Sequence, residues 1–434
     1  MSHPATPTPS SVARWNFAII VLDASCFFAG FAFLDTVAVL PVLVSELGGS
    51  RVVIGLMTAL QRAGWLIPQL LAASFVLHRP RKKPFVLYPC MISRIPFLVL
   101  MVAFLSPWGA RHPGLLLWLL VGCYSVFFFG DGLSGVPWHD IIGRTIPPTM
   151  RGRFFGSMQF LGGLLAVGAG AVVRRVLADP SVPFPGNYGV LFIYLCAGMV
   201  LSTIFLALIR EPPGPTVEEA QPLPRLLRAI PCTLRVHSRL RRLIVGQVLC
   251  GLAGLAVPFY AVYGHTRLHL PVSSAGLFIW AGTAGSVGAS ILWAYLCDRF
   301  GSTAAIRAVA RLMLLVPVAA LLVPPLASIM GARQALAQLY ALVFFINGAT
   351  WGGMWIGFTN YVLEISPPDI RPLFLGLQST LSAPTVAMPV IGGWLLTYLQ
   401  FETLFAIVAV TGLISVIYVQ RLPEPRRQAQ GEPA

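Results

Sequence analysis

Charge is what this sequence is short of. Only 10% of its 434 residues are Asp, Glu, Lys or Arg, against 56% hydrophobic residues. A chain so apolar cannot keep its whole surface in water, which excludes an ordinary soluble globular protein. Acidic residues number 15 against 30 basic ones, and lysine occurs only at Lys82 and Lys83. The seven cysteines lie in apolar runs or at their cytoplasmic edges, so neither a disulfide framework nor a metal site is expected. There is no glycine-rich phosphate loop and no HExxH motif, so ATP-driven pumping and intramembrane zinc proteolysis lack their parts. No enzymatic activity and no cofactor are expected. The start, "MSHPATPTPSSVARW", has no short apolar region with a small-residue cleavage site, and the first apolar segment is read as a retained helix.

Long apolar runs fill the chain instead. A helix needs about 20 apolar residues to cross the hydrocarbon core. About twelve such runs are present, near 17–43, 52–77, 84–106, 114–138, 152–177, 189–209, 243–265, 274–297, 303–325, 335–363, 373–398 and 403–420. No strand-period alternation competes with them. The expected fold is an all-α polytopic membrane protein of about twelve transmembrane helices in two pseudo-symmetric six-helix bundles. The organisation reads as an N-terminal tail (1–16), a first bundle (17–210), a basic proline-rich linker (211–242), a second bundle (243–420) and a C-terminal tail (421–434).

Basic residues set the orientation, because cytoplasmic loops retain them. With both termini cytoplasmic, 21 Lys and Arg residues of the loops and loop edges fall inside, and Arg51, Arg111, Arg174, Arg175, Arg267 and Arg333 fall outside. The formal charge of +15 therefore reads as topology plus attraction to anionic lipid headgroups. The basic residues are scattered over separate loops with no binding module, which argues against a nucleic-acid partner. The linker from Leu223 to Arg242 alternates leucine-type residues with arginines and is expected to lie on the lipid surface.

The two halves repeat. "PPTMRGRFFG", Pro147 to Gly156, returns 220 residues later as "PPDIRPLFLG", Pro367 to Gly376, and at the same offset Trp138 falls on Phe358, Asp140 on Asn360 and Arg79 on Arg299. Each copy of the turn connects the fourth and fifth spans of its half. Together with "AYLCDRFG", Ala294 to Gly301, these turns resemble the major facilitator superfamily over nearly the whole chain. The resemblance implies two parallel six-helix repeats. It also implies alternating access around a central cavity. The loop pattern is degenerate: Ala294 stands where the family has its first glycine, Ser302 and Thr303 replace a basic pair, and His78 replaces an aspartate in the first half. The resemblance implies a cytoplasmic gate of Asp298, Arg299, Arg151 and Arg371, in which Asp298 meets the start of the fifth helix near Arg151. The alternative is that these are loop charges that set topology.

Ionisable residues inside a membrane span are costly and mark function. They are Asp23 and Asp35 on the first span, Arg62 on the second, Arg94 on the third, Asp131 on the fourth and Arg311 on the ninth. Asp35 and Arg62 come out at similar depth near the outer side, while Asp23, Arg94 and Asp131 could form a second cluster nearer the cytoplasm. Asp35, Asp131, Asp23 and Arg62 are the candidates for proton coupling, against the reading that they are neutralised pairs holding helices together. For Arg94 and Arg311 the structural reading is preferred, as neutralised pairs that hold adjacent helices together or as arginines snorkelling towards headgroups.

On the tenth span Asn347, Trp351 and Trp355 fall at i, i+4 and i+8, one face of a helix. Asn347, Trp351, Gln247 and Tyr260 are candidates for a cavity that holds a small organic solute by stacking and amide hydrogen bonds. Trp355 and Tyr263 are assigned to structure. The expected function is secondary active transport of such a solute, proton-coupled, by a monomer whose partners are its substrate, protons and the bilayer. The abundance of arginine over lysine suggests a bacterial inner membrane. A lipid flippase or scramblase of the same fold, or a non-transporting sensor, remains open as an alternative.

Overall fold

The computed structural model describes residues 10–76, 81–146, 150–211, 234–331, 335–366 and 371–425, and among them no strand occurs. The helices are α1 (Ser10–Ala32), α2 (Leu40–Glu46), α3 (Arg51–Val76), α4 (Pro84–Leu105), α5 (Pro107–Arg111), α6 (Pro113–Thr145), α7 (Arg151–Ala178) and α8 (Gly186–Ala207). After the linker come α9 (Ser238–Gly251), α10 (Phe259–Thr266), α11 (Ser274–Phe300), α12 (Ser302–Ile329), α13 (Leu336–Ile365), α14 (Arg371–Ser382), α15 (Met388–Leu395) and α16 (Phe401–Gln420). Ten helical segments among the described residues are long and apolar enough to cross a membrane. The chain is an all-α polytopic membrane protein.

Three spans that read as continuous in the sequence are broken. The first stops at Ala32 and resumes at Leu40, the seventh is interrupted between Gly251 and Phe259, and the eleventh between Ser382 and Met388. Each break lies at a proline. Pro41 and Pro389 sit in the first turn of α2 and α15, where a missing N–H costs nothing, and Pro258 directly precedes α10. The first two breaks are repeat-related, since residue 33 plus 220 is 253. Asp35 accordingly lies in a non-helical stretch, not on a helix face.

By packing, the chain divides into residues 1–35 with 60–220, and residues 36–59 with 221–434. The first unit has a core that includes Ile20, Ile141, Ile142 and Phe154, and a second aromatic cluster in which Phe97 and Phe127 rings lie 4.5 Å apart. The second has a core of Leu240, Leu243, Ile306, Tyr361, Val362 and Val419. The segment 36–59, expected within the first bundle, packs in the second unit because its polar and small residues meet complementary backbone there. Arg51 donates to the Leu396 carbonyl just past α15, and its guanidinium lies 4.9 Å from the Phe401 ring centre.

In both units the third membrane span is tied to the end of the sixth, α4 to α8 in the first and α12 to α16 in the second. In the first, Glu211 accepts from the backbone N–H groups of Lys82 at 2.5 Å and Lys83 at 2.7 Å, which open α4. Lys83 Nζ in return donates to the carbonyls of Ala207 at 2.6 Å and Ile209 at 2.9 Å, which close α8. Both satisfy groups that a helix end leaves without intrahelical partners. Lys82 is buried, and that burial pulls its ammonium below the usual lysine range while the nearby carboxylate of Asp140 opposes the shift. In the second unit Arg307 of α12 performs the corresponding cap, donating to Gln420 at 3.0 Å and Leu422 at 2.9 Å past α16.

Candidate functional site

The first unit contains a polar network at membrane depth, built on α1, α3, α4, α6 and α8. Its arrangement follows from where small residues allow helices to approach. Asp131 lies between Gly130 and Gly132 on α6. A Cβ on Gly130 would press into Ser93 of α4, and one on Gly132 would collide with the Gly64 carbonyl of α3. Each approach delivers a donor to the same carboxylate. From α3, Trp65 Nε1 donates to Asp131 Oδ2 at 3.0 Å, and from α4 the Cys90 thiol faces Oδ1 at 3.7 Å. Cys90 also contacts Ser134 Oγ at 3.3 Å.

Asp23 is served from the other side. Gly198 of α8 packs so closely on Gly30 and Cys26 of α1 that no side chain fits between them. One turn further along α8, Ser202 Oγ donates to Asp23 Oδ1 at 2.5 Å, and Trp138 Nε1 of α6 approaches Oδ2 at 3.3 Å. Ser202 in turn accepts from Arg94 Nη2 at 3.0 Å. Arg94 Nη1 donates to the Met199 carbonyl at 2.7 Å and to Thr203 Oγ1. The guanidinium lies 5.9 Å from the Phe27 ring centre, against the aromatic cluster. Asp23 and Arg94 are 5% and 8% exposed, whereas Asp131 is only half-buried.

Asp23, Arg94 and Asp131 thus lie in one region of the first unit, and of the two structural alternatives for Arg94 the side chain ties α4 to α8 and does not snorkel towards headgroups. On α4, Cys90 and Arg94 stand at i and i+4, and this face turns into the bundle. Arg311 is exposed. The sequence alone did not single out Ser202, Thr203, Trp65 or Cys90. Serine and threonine in an apolar helix usually bond to their own backbone, so their presence carries little signal. Asp35 and Arg62 are both partly buried in the first unit, Asp35 in the break after α1 and Arg62 on α3.

The aromatic and amide candidates lie in the second unit. Gln247 of α9 accepts from Gln378 Nε2 of α14 at 2.9 Å, and Gln378 is buried. Trp351 and Trp355 on α13 are 63% and 75% exposed, and Asn347 one turn before them is partly buried. Tyr260 is placed differently from its expected cavity position. It is 2% exposed, its ring packs 4.9 Å from that of Phe405, and its carbonyl accepts from Tyr340. α10 turns it into the core of the unit. Asp298 and Arg299 are exposed at the end of α11, where Arg299 donates to Tyr295 at 2.9 Å. Arg151 and Arg371 open α7 and α14, and their side chains lie outside the described residues, as do the Pro147 and Pro367 turns and most of the linker.

Fold and network together define a polytopic helical membrane protein with repeat-related halves and buried charge in one of them. The sequence profile of the Major Facilitator Superfamily matches residues 24–383, and the chain belongs to that family. No curated protein matches it in sequence. Among solved structures it is similar in fold to a bacterial homologue of the iron transporter ferroportin in an inward-facing state. That match has 14% identity, covers 96% of this chain and 99% of that one, and has a TM-score of 0.67. The nucleoside transporter NupG gives 15%, 95% and 98% coverage, and 0.64. A D-xylose-proton symporter gives 15%, 96% and 97%, and 0.63. The chain thus transports a solute across a membrane, as its family does.

Proposed function

We propose that this chain is a secondary active transporter that moves a small organic solute by alternating access, with transport coupled to protons through the carboxylates of the first half. The observation that carries the reading is the Asp23–Ser202–Arg94 network with Asp131 beside it. Charges at this depth are expensive and persist where a pathway uses them. Asp131 is the less buried of the two carboxylates and exchanges the proton, Asp23 is its buried neighbour, and Asp35 in the helix break with Arg62 forms a second pair nearer the outer side. Asn347 and Trp351 on one face of α13 receive the solute, by stacking on the indole and hydrogen bonding to the amide. Asp298, Arg299, Arg151 and Arg371 close the cytoplasmic side, both termini are cytoplasmic, and the protein resides as a monomer in a bacterial inner membrane.

The test is internal pH in proteoliposomes holding the purified protein, read with a trapped dye while sugars, nucleosides, amino acids, organic acids and amphipathic drugs are added outside. A solute-dependent pH change that Asp131→Asn or Asp23→Asn abolishes is the expected result. No pH response to any solute, with each protein folded, overturns proton coupling and favours lipid translocation.

A further inference from the structure

The membrane-depth charges of the first unit do not balance. Asp23 and Asp131 bring two carboxylates to the network, and Arg94 brings one guanidinium. Adding Asp35 and Arg62 leaves the excess unchanged, at three carboxylates to two guanidiniums. An ionised carboxylate without a counter-charge in an apolar interior is unfavourable, and it takes up a proton instead.

The second half of the chain serves as an internal control. At the 220-residue offset Asp23, Cys90, Arg94, Asp131 and Trp138 fall on Leu243, Ala310, Leu314, Trp351 and Phe358. Of these, Leu243, Ala310 and Phe358 are core residues of the second unit. On the sixth helix the offset shortens to 213, which aligns Glu211 with Glu424 and Ser202 with Ser415, and Ser415 merely bonds the Thr411 carbonyl of its own helix. The positions equivalent to Asp23, Cys90 and Trp138 are thus filled by apolar core residues in the second unit, so packing at those positions does not require polar groups.

We propose that Asp23 and Asp131 hold a single proton between them, with Arg94 as the counter-charge of whichever carboxylate is ionised. The proposal rests on reading this network as the coupling site. Arg94 stays protonated throughout. With the proton on Asp131, the Asp23 carboxylate and the guanidinium balance through the Ser202 hydroxyl, which accepts from one and donates to the other. Release transfers the proton from Asp131 to water and leaves one uncompensated carboxylate, a state favoured only while water reaches Asp131. Arg94 Nε is buried and has no hydrogen-bond partner, so the guanidinium retains one donor that its contacts on α8 do not use. The other titratable groups facing the pair are Cys90 on α4 and Cys26 on α1, while Trp65, Trp138 and Ser202 act as neutral donors. Helix α7, also packed on α1, presents no charge to it among its described side chains.

Infrared spectroscopy of the purified protein at neutral pH, which needs no substrate, counts protonated buried carboxyl groups from their C=O stretch. Charge balance sets the expected results. The wild type shows a band that Asp131→Asn removes and that Asp23→Asn removes equally, because each variant leaves one carboxylate facing one guanidinium. Arg94→Gln roughly doubles the band and Arg94→Lys leaves it at one group. A band that survives both aspartate variants overturns the proposal, as does an Arg94→Gln protein that is folded and shows no increase. Should Arg94→Gln fail to fold, the aspartate pair decides. If the band follows the expected pattern but no solute drives proton flux, the shared proton stands and the coupling reading falls.

Discussion

At the residue scale, the chain's only two lysines and one glutamate carry a mutual cap. Lys83 satisfies carbonyls that end α8, and Glu211 satisfies N–H groups that open α4. Glu211→Gln weakens two charge-assisted bonds, and Lys83→Ala leaves carbonyls unpaired. Each is expected to lower stability by about 1–2 kcal/mol, read as a lower melting temperature of the detergent-solubilised protein. Lys83→Arg retains part of the effect, because the guanidinium can still reach a carbonyl. Arg307 shows that an arginine caps the corresponding end in the second unit. None of this was legible from residue types. "RKKP" reads as a topology signal, and only the folded chain brings Glu211 to it.

At the element scale, helices approach where glycine permits, and the approach decides which side chains meet. Gly132 rests against the Gly64 carbonyl, so Gly132→Val separates α3 from α6 and withdraws Trp65 from Asp131. The expected cost is about 1–3 kcal/mol in stability. Trp65 fluorescence, in a variant holding no other tryptophan, is expected to shift as its hydrogen bond is lost. Trp65→Phe should retain stability better than Gly132→Val, since it removes one hydrogen bond worth about 0.6–2 kcal/mol between membrane helices and leaves the packing in place. The breaks in the first, seventh and eleventh spans belong to this scale too. Prolines were visible throughout, but Pro68, Pro96, Pro137 and Pro317 lie inside continuous helices, while Pro41, Pro258 and Pro384 mark breaks. A proline removes one bond in any helix, and neighbouring helices determine whether the helix stays continuous there.

At the scale of the whole molecule, the charge bias predicts which loops face the cytoplasm. On a background free of cysteine, Ser181→Cys is expected to react with an impermeant maleimide from outside intact cells, and Arg421→Cys only after permeabilisation. Both positions are exposed, so the pattern reports side and not burial. The reverse pattern would invert the orientation and with it the assignment of the cytoplasmic gate.

Composition, span length and the 220-residue repeat determined the class, the helical fold and the duplicated plan, because hydrophobicity and periodicity are properties of local sequence. They also marked Asp23, Arg94 and Asp131 as a possible cluster, since a charge in an apolar run is visible without coordinates. Only the tertiary structure showed that Arg94 points inward, that Ser202 joins it to Asp23, that Trp65 and Cys90 serve Asp131, and that Tyr260 is core. Those facts depend on which helix faces approach, which is set by contacts between residues far apart in the chain.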